Sequence, residues 1–151
     1  MPLNLMKYFN KFPRFGVLST SSNDGKVNSA IFGSPHMIDE HTVVVATAKN
    51  RTLANLLENP NAVYIIMEQC LDSPDTGTMK PGSSIMDWKG IRVYMKMKEC
   101  ATSGEMLDMI KKQAANLAGE EAAKMLYAAL TFEIYEVRPL VDFGQGWEKS
   151  V

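Results

Sequence analysis

The sequence predicts a mainly β fold with flanking helices (α+β), built on an antiparallel barrel. Several short apolar and β-branched runs are joined by tight turns, and only one brief helix interrupts the early strands. After Lys89, apolar and polar residues alternate from Ile91 to Lys98, the period of a strand with one face in the core. This order of elements argues against alternating βαβ units.

Composition predicts one domain over residues 1–151, because 46% hydrophobic residues suffice for a core without disulfides or a structural metal. A formal net charge of −1 gives no basic field for nucleic acid, so that partner is not expected. Neither a signal peptide nor a stretch long enough to span a membrane is visible. We therefore expect a cytoplasmic location and no membrane partner.

The early strands are indicated by their turns. Residues 15–20 and 26–32 flank Asn23-Asp24-Gly25, a composition that supplies the positive φ values of a tight hairpin. A second turn at Asp39-Glu40 leads into residues 42–47, whose β-branched run lacks polar alternation and predicts a buried, central strand.

A short amphipathic helix is predicted after that strand. Asn50 suits the N-cap, leucines follow at helical spacing, and Asn59-Pro60 ends the helix. Residues 62–67 form the next buried strand, and residues 71–84, rich in Pro, Gly, Ser, Asp and Thr, are predicted to be a loop.

The C-terminal half is predicted to contain two helices and a last strand. Residues 102–105 match a capping box, and apolar residues at helical spacing follow until Gly119. A shorter helix is expected through Met125 and Leu126, then a strand at 130–137 that ends before Pro139. The tail around Trp147 is expected to be irregular.

The cysteines and histidines do not indicate a metal site. Cys70 and Cys100 each end an apolar segment outside any CxxC or Cys/His spacing, which favours buried, reduced thiols. His36 and His41 flank the turn at Asp39-Glu40 without an accompanying ligand pattern, so we expect surface histidines.

The segment Thr47-Ala48-Lys49-Asn50-Arg51-Thr52 is the strongest candidate for a binding site. It joins a buried strand to a helix N-terminus, where free backbone N–H groups, the helix dipole, two cations and a hydroxyl would converge on a volume suited to a phosphate. The alternative is that Asn50 only caps the helix and that Lys49 and Arg51 are solvated surface charges.

The order of these elements resembles the FMN-binding split β-barrels of the pyridoxamine 5′-phosphate oxidase-like superfamily. The resemblance covers roughly residues 5–138 and rests on four segments: Gly16-Val17-Leu18-Ser19-Thr20, Val27-Asn28-Ser29-Ala30, Arg51-Thr52-Leu53-Ala54-Asn55-Leu56 with Glu58-Asn59-Pro60, and Trp88-Lys89-Gly90-Ile91-Arg92-Val93.

The resemblance implies FMN as the cofactor and a homodimer with the flavin at the subunit interface. The phosphate would lie against Lys49, Arg51 and Thr52. The ribityl chain or ring edge would meet Asn28 and Ser29, and the backbone of Ala46 and Thr47 would face the isoalloxazine. The other subunit would contribute Arg92 and Trp147, although an outward charge and a packed C-terminal aromatic are the alternatives for these two residues.

The implied function is that of an oxidoreductase in which FMN passes electrons to or from a small molecule. Open alternatives are a non-catalytic FMN electron carrier with protein redox partners, a barrel binding F420 or haem, and a cofactor-free dimer. A typical pyridoxamine-phosphate oxidase is not expected, because residues 144–151 lack the Arg-rich end that grips the substrate phosphate in those enzymes.

Overall fold

The computed structural model describes residues 4–11, 15–68, 71–73, 78–79 and 88–151. Within these residues the strands are β1 Gly16–Ser21, β2 Val27–Phe32, β3 His36–Met37, β4 Thr42–Thr47, β5 Asn61–Glu68, β6 Leu71–Ser73, β7 Thr78–Met79, β8 Lys89–Ala101 and β9 Ala128–Pro139. The helices are α1 Leu5–Phe9, α2 Arg51–Glu58, α3 Glu105–Ala118 and α4 Glu120–Lys124, with a 3₁₀ helix at Trp147–Ser150.

The main sheet has the strand order β2-β1-β5-β8-β9-β4-β3, and every neighbouring pair is antiparallel. It curls into a half-barrel, so that the segment after β2, at one edge, meets β4 near the other edge. There the Ser34 hydroxyl donates to the Ala46 carbonyl at 3.1 Å. The predicted mainly β, antiparallel architecture is confirmed.

The core lies inside this curled sheet and is closed on one side by α1. The ring centroids of Phe9 on α1 and Tyr64 on β5 are 5.6 Å apart, and both side chains are fully buried. The Tyr64 hydroxyl donates to the Phe32 carbonyl at 2.6 Å, which ties β5 to the end of β2 across β1. A Cβ on Gly16 would overlap the Tyr64 ring, so this strand position requires glycine.

Most predicted elements are present. The first hairpin forms with Gly25 at φ 84°, the conformation for which a glycine was expected. Residues 43–47 of β4 are all buried, as the lack of polar alternation indicated. However, β4 is second from the sheet edge, beside the two-residue β3, and its burial reflects the curl of the sheet and its contact with α3.

Two C-terminal predictions need correction. The capping box does not form: α3 begins after Gly104, and this N-cap makes no side-chain bond to the helix. The short helix α4 ends at Lys124, before Met125.

The last strand is longer than predicted. β9 extends through Pro139, which faces Ile91 at the end of the ladder and needs no N–H there. The irregular tail ends in the short 3₁₀ helix.

Other differences lie in short elements. Helix α1 and strand β3 were not predicted, since both are too short to show a period. Within the predicted loop, residues 71–73 and 78–79 pair as a small antiparallel sheet. Residues 74–77 and 80–84 lie outside the described residues, as does Cys70.

In the part of the chain that the structure describes, every helix is too short or too polar to cross a bilayer.

Candidate functional site

Asn50 caps the start of α2. The Asn50 side chain accepts from the Leu53 N–H at 3.1 Å, and the Asn50 carbonyl accepts from the Ala54 N–H at 3.0 Å. The first N–H groups of a helix have no intrahelical acceptor, so those of Arg51 and Thr52 stay available. This arrangement, together with the helix dipole, favours an anion at this end.

The packing of α2 fixes where these donors point. Strands β1 and β2 both contact this helix. The buried Asn55 side chain donates to the buried Thr20 hydroxyl at 3.1 Å, which ties the helix to β1. The Asn28 amide on β2 lies 3.5 Å from the Thr52 hydroxyl. The structure therefore brings together the predicted site residues Asn28 and Thr52.

Lys49 and Arg51 are both exposed, on either side of the cap. Among the described residues, neither forms an ion pair with a carboxylate. The Lys49 amine lies 5.7 Å from the centre of the Tyr127 ring, a cation–π distance. Two cations without anionic partners thus flank the available N–H groups, which fits a phosphate group.

Ala46 and Thr47 are buried at the end of β4. Their carbonyl oxygens already accept hydrogen bonds within the chain, from the Ser34 hydroxyl at 3.1 Å and from the Tyr127 N–H at 2.8 Å. For these carbonyl oxygens, the predicted role of facing a flavin ring therefore competes with hydrogen bonds that hold β4 to the segment after β2 and to the start of β9.

Ser29 lies on the opposite face of β2 from Asn28, because successive strand residues point to opposite faces. Its hydroxyl is 2.8 Å from that of Ser19 on β1, on the outward face of the sheet. Within one chain it is not part of the cluster around Thr52.

Arg92 lies on the outward face of β8 and is tied to its own chain. Its guanidinium donates to the Pro139 carbonyl at 3.1 Å, the Tyr94 hydroxyl at 3.0 Å and the Asp142 carboxylate at 3.0 Å. Asp142 also accepts from Arg138, whose hydrogen bond is the largest cause that lowers the pKa of this carboxyl. Arg92 thus anchors the C-terminal segment.

Trp147 begins the 3₁₀ helix and packs, half-buried, against the core. Arg92 lies beside Arg138 near the C-terminal end of β9, and the 3₁₀ helix accepts a hydrogen bond from Leu140 just beyond that end. Thr47, which precedes α2, lies beside Ala128 at the opposite end of β9. The two residues predicted to act from a second subunit are thus set apart from the α2 cluster within one chain.

Three contributors were missed from the sequence. Ser34, Asn55 and Tyr127 hold the β4–α2 junction in place, through the contacts given above. Only the pairing of distant strands brings them there: the Tyr127 N–H reaches Thr47 because β9 begins opposite the end of β4. The helical period of residues 51–58 could have indicated that Asn55 is buried, but it gives no information that Thr20 is its hydrogen-bond partner.

Comparison with solved structures identifies the fold of the chain. No family model matches the chain, and no curated protein matches it. Among solved structures, an FMN-binding protein from Syntrophomonas wolfei subsp. wolfei is 25% identical, with a TM-score of 0.70 over 91% of this chain and 83% of that one. The chain has the split β-barrel fold of the FMN-binding, pyridoxamine 5′-phosphate oxidase-like proteins.

Two other structures share this split barrel and carry different names. An F420 reductase is 12% identical with a TM-score of 0.60, covering 91% of this chain and 98% of that one. HutZ, a haem storage protein from Vibrio cholerae, is 17% identical with a TM-score of 0.58, covering 94% of both chains. Likenesses at these identities establish the fold of the split barrel and leave the cofactor to the residues of this chain.

Proposed function

We propose that this split barrel binds FMN, with the phosphate at the start of α2, and acts as an oxidoreductase that passes electrons to or from a small molecule. The observation that carries the proposal is the cluster at this helix end. The first two N–H groups of the helix are available, and the buried Thr52 hydroxyl lies beside Asn28. The exposed cations Lys49 and Arg51 adjoin this helix end, and neither pairs with a carboxylate among the described residues. Charge-assisted donors of this kind are what a phosphate dianion requires.

Bound FMN would supply the redox chemistry, and the chain would supply position and electrostatics. Arg51 and Lys49 would neutralise the phosphate charge, and Thr52 would orient it through its hydroxyl. The 25% identity to a protein described as FMN-binding supports FMN over F420 or haem. Both histidines of the chain are exposed, and neither has a setting typical of an axial haem ligand.

The first test is the visible absorption spectrum of the purified protein, followed by release and chromatography of any bound cofactor. A flavin spectrum with FMN recovered at about one per chain supports the proposal. Recovery of a deazaflavin or haem would replace FMN with that cofactor. A colourless protein that also fails to bind added FMN would contradict the flavin function and favour a cofactor-free role.

The residue-level test is Arg51→Ala. We expect FMN affinity, measured by quenching of flavin fluorescence, to fall at least about tenfold, since a charge-assisted hydrogen bond to phosphate contributes about 1.5–3 kcal/mol. Lys112→Ala is the matched control, because Lys112 is an exposed cation on α3. Equal FMN affinity in Arg51→Ala and Lys112→Ala would show that Arg51 does not bind the phosphate.

We further propose that the protein is a homodimer joined through the outward face of β2, β1 and β5. Paired positions on this face carry apolar side chains, among which Val27, Ile31 and Met67 are exposed: Val17, Val27, Ile31, Val63, Ile65 and Met67. A monomer seldom leaves several large apolar side chains exposed together on one face of a sheet. Ser29 lies on the same face, so a second subunit here would bring it into an interface.

Ile31→Glu tests this interface, because Ile31 is 74% exposed and a glutamate there is harmless to an isolated chain. We expect the wild type to sediment as a dimer and this variant as a monomer. Met125→Glu, at another exposed apolar position, should stay dimeric. A dimeric Ile31→Glu variant would place the interface elsewhere.

Whether the protein is an enzyme or a carrier depends on a small-molecule substrate. The oxidation of reduced nicotinamide by the FMN-loaded protein can be followed with and without small organic acceptors. Steady oxidation that depends on such an acceptor indicates an enzyme, since a carrier would exchange electrons only with a protein partner. A cytoplasmic location is also part of the proposal and rests on the sequence argument.

A further inference from the structure

A cavity of about 480 Å³ lies between the second half of α3 and the segment that follows β2. Its apolar wall is made by Ile110, Ala114 and Leu117 of α3, with Phe15 and the buried Pro35 opposite. The volume falls within the range of about 300–1,000 Å³ that is usual for small-molecule sites.

The burial of α3 differs between its two ends. Leu107, Ile110, Ala114 and Leu117 recur at helical spacing and form one apolar stripe. Leu107 is buried, and the neighbouring Met106 sulfur lies 3.9 Å from the Thr131 hydroxyl of β9, whereas Leu117, three turns later, is 70% exposed. The far end of this stripe therefore faces an open space rather than the core.

The polar groups at the cavity set the charge that it would accept. Lys11, His36 and Gln113 line it, and no carboxylate is among the described lining residues. Lys11 is largely exposed and pairs with Glu68 at 2.9 Å, so its amine sits at the rim. An uncharged or anionic ligand suits this lining, because none of the described lining residues offers a carboxylate that would pair with a cation.

The cavity also adjoins strands β2 and β4, which carry residues of the proposed cofactor site. Its lining residue Ser34 donates to the Ala46 carbonyl at the end of β4. Asn28, at the phosphate site, and Phe32, just before the cavity, are four steps apart on β2, roughly 13 Å of extended chain. A phosphate site and an apolar cavity thus lie at opposite ends of one strand.

We propose that this cavity binds the small-molecule substrate, and that the substrate is a flat, apolar ring compound that is neutral or anionic. Its role as a substrate site rests on the proposed flavin function, whereas its capacity to bind such a ring does not. Gly33, Ser34 and Pro35 give a wall of small or rigid side chains opposite the helix, which suits a flat molecule.

A series of naphthalene probes tests the charge and shape together: 2-naphthoate, 2-naphthol and a naphthylmethylammonium ion, followed by naphthalene fluorescence on the full chain, with and without FMN. We expect naphthoate and naphthol to bind at least fivefold more tightly than the ammonium probe. Equal or tighter binding of the cation would overturn the assignment of ligand class.

Ala114→Trp tests the location, because an indole at this position fills the cavity. We expect loss of naphthol binding by at least tenfold with FMN affinity unchanged. The control is Asn116→Trp, at an exposed position of the same helix outside the cavity lining, which should bind like the wild type. If Ala114→Trp does not fold, Leu117→Gln at the exposed wall should weaken naphthol about fivefold. Unchanged naphthol binding in a folded cavity variant would overturn the proposal.

Lys11→Gln separates charge from shape. It should weaken naphthoate several-fold and leave naphthol unchanged, even though it also removes the ion pair with Glu68. If naphthoate is unaffected, Lys11 has no part in the preference for anions. The protein could bind the naphthalene probes, lose that binding in Ala114→Trp, and yet never take up FMN. That result would support the cavity as a site for ring compounds and refute the flavin function.

Discussion

The buried hydrogen bond between Asn55 and Thr20 is expected to hold the candidate site together. Asn55→Ala removes an amide that donates to the Thr20 hydroxyl at 3.1 Å, and both residues are at least 94% buried. The hydroxyl then loses its partner in a place that water cannot easily reach. A buried polar group left unsatisfied costs about 1–3 kcal/mol, so we expect a loss of about 2 kcal/mol in the free energy of unfolding.

Urea unfolding followed by far-UV circular dichroism, at one fixed protein concentration, measures this loss. With a slope of about 2 kcal/mol per molar urea, the midpoint should fall by about 1 M. Adding Thr20→Val to Asn55→Ala removes the stranded hydroxyl, so the double variant should be more stable than Asn55→Ala alone. Asn61→Ala is the control, because Asn61 is exposed and, among the described residues, its side chain bonds only to the nearby Asn59.

Two results would refute this reasoning. One is a loss below about 0.5 kcal/mol for Asn55→Ala, the range of ordinary surface substitutions. The other is a double variant whose loss of stability equals the sum of the losses in Asn55→Ala and Thr20→Val alone, which would show that the two side chains are not coupled. Because Arg51 and Thr52 lie on the same short helix, we also expect FMN to bind Asn55→Ala more weakly than Asn61→Ala.

Two further predictions concern the barrel and its C-terminal segment. Gly16→Ala places a Cβ against the Tyr64 ring and displaces the hydroxyl from the Phe32 carbonyl, so thermal unfolding should show a stability loss of at least about 2 kcal/mol. Asp142→Asn should be less stable than the wild type above about pH 4, because Arg138 lowers the pKa of Asp142 from its usual 3.8. That difference should shrink as the pH falls through the lowered pKa, where the wild-type carboxylate takes up its proton; an equal gap at pH 7 and pH 2 would show that charge is not the cause.

Local patterns predicted much of this fold. The Asn-Asp-Gly turn, the Asn50 cap and the alternation after Lys89 each depend on neighbours within a few residues, and each element is present. The capping box was predicted from local residues but does not form. Thr102 and Ser103 have suitable side chains, but β8 runs to Ala101 and the chain reaches α3 through Gly104 at φ 113°. Strand pairing, rather than the preferences of the cap residues, set that boundary.

The candidate site was predictable only where it is local. Residues 49–52 are contiguous, so their charges, hydroxyl and helix start could be found together. Ser34, Thr20 and Tyr127 reach the same junction through strand pairing and the curl of the sheet, which a single sequence does not encode as a pattern. The cavity under α3 was equally hidden, because the spacing of Ile110, Ala114 and Leu117 indicates an apolar face without indicating what that face covers.

Strand β2 explains how one short segment can serve three roles. Its inward residue Asn28 lies beside Thr52 at the proposed phosphate site, its outward residues Ser29 and Ile31 lie on the proposed interface, and its far end leads into the cavity wall. β2 is an edge strand of the main sheet and has a neighbouring strand of that sheet on one side, β1. A subunit interface, a cofactor and a substrate would then meet along one strand, so Ile31→Glu should weaken FMN binding as well as dimerisation.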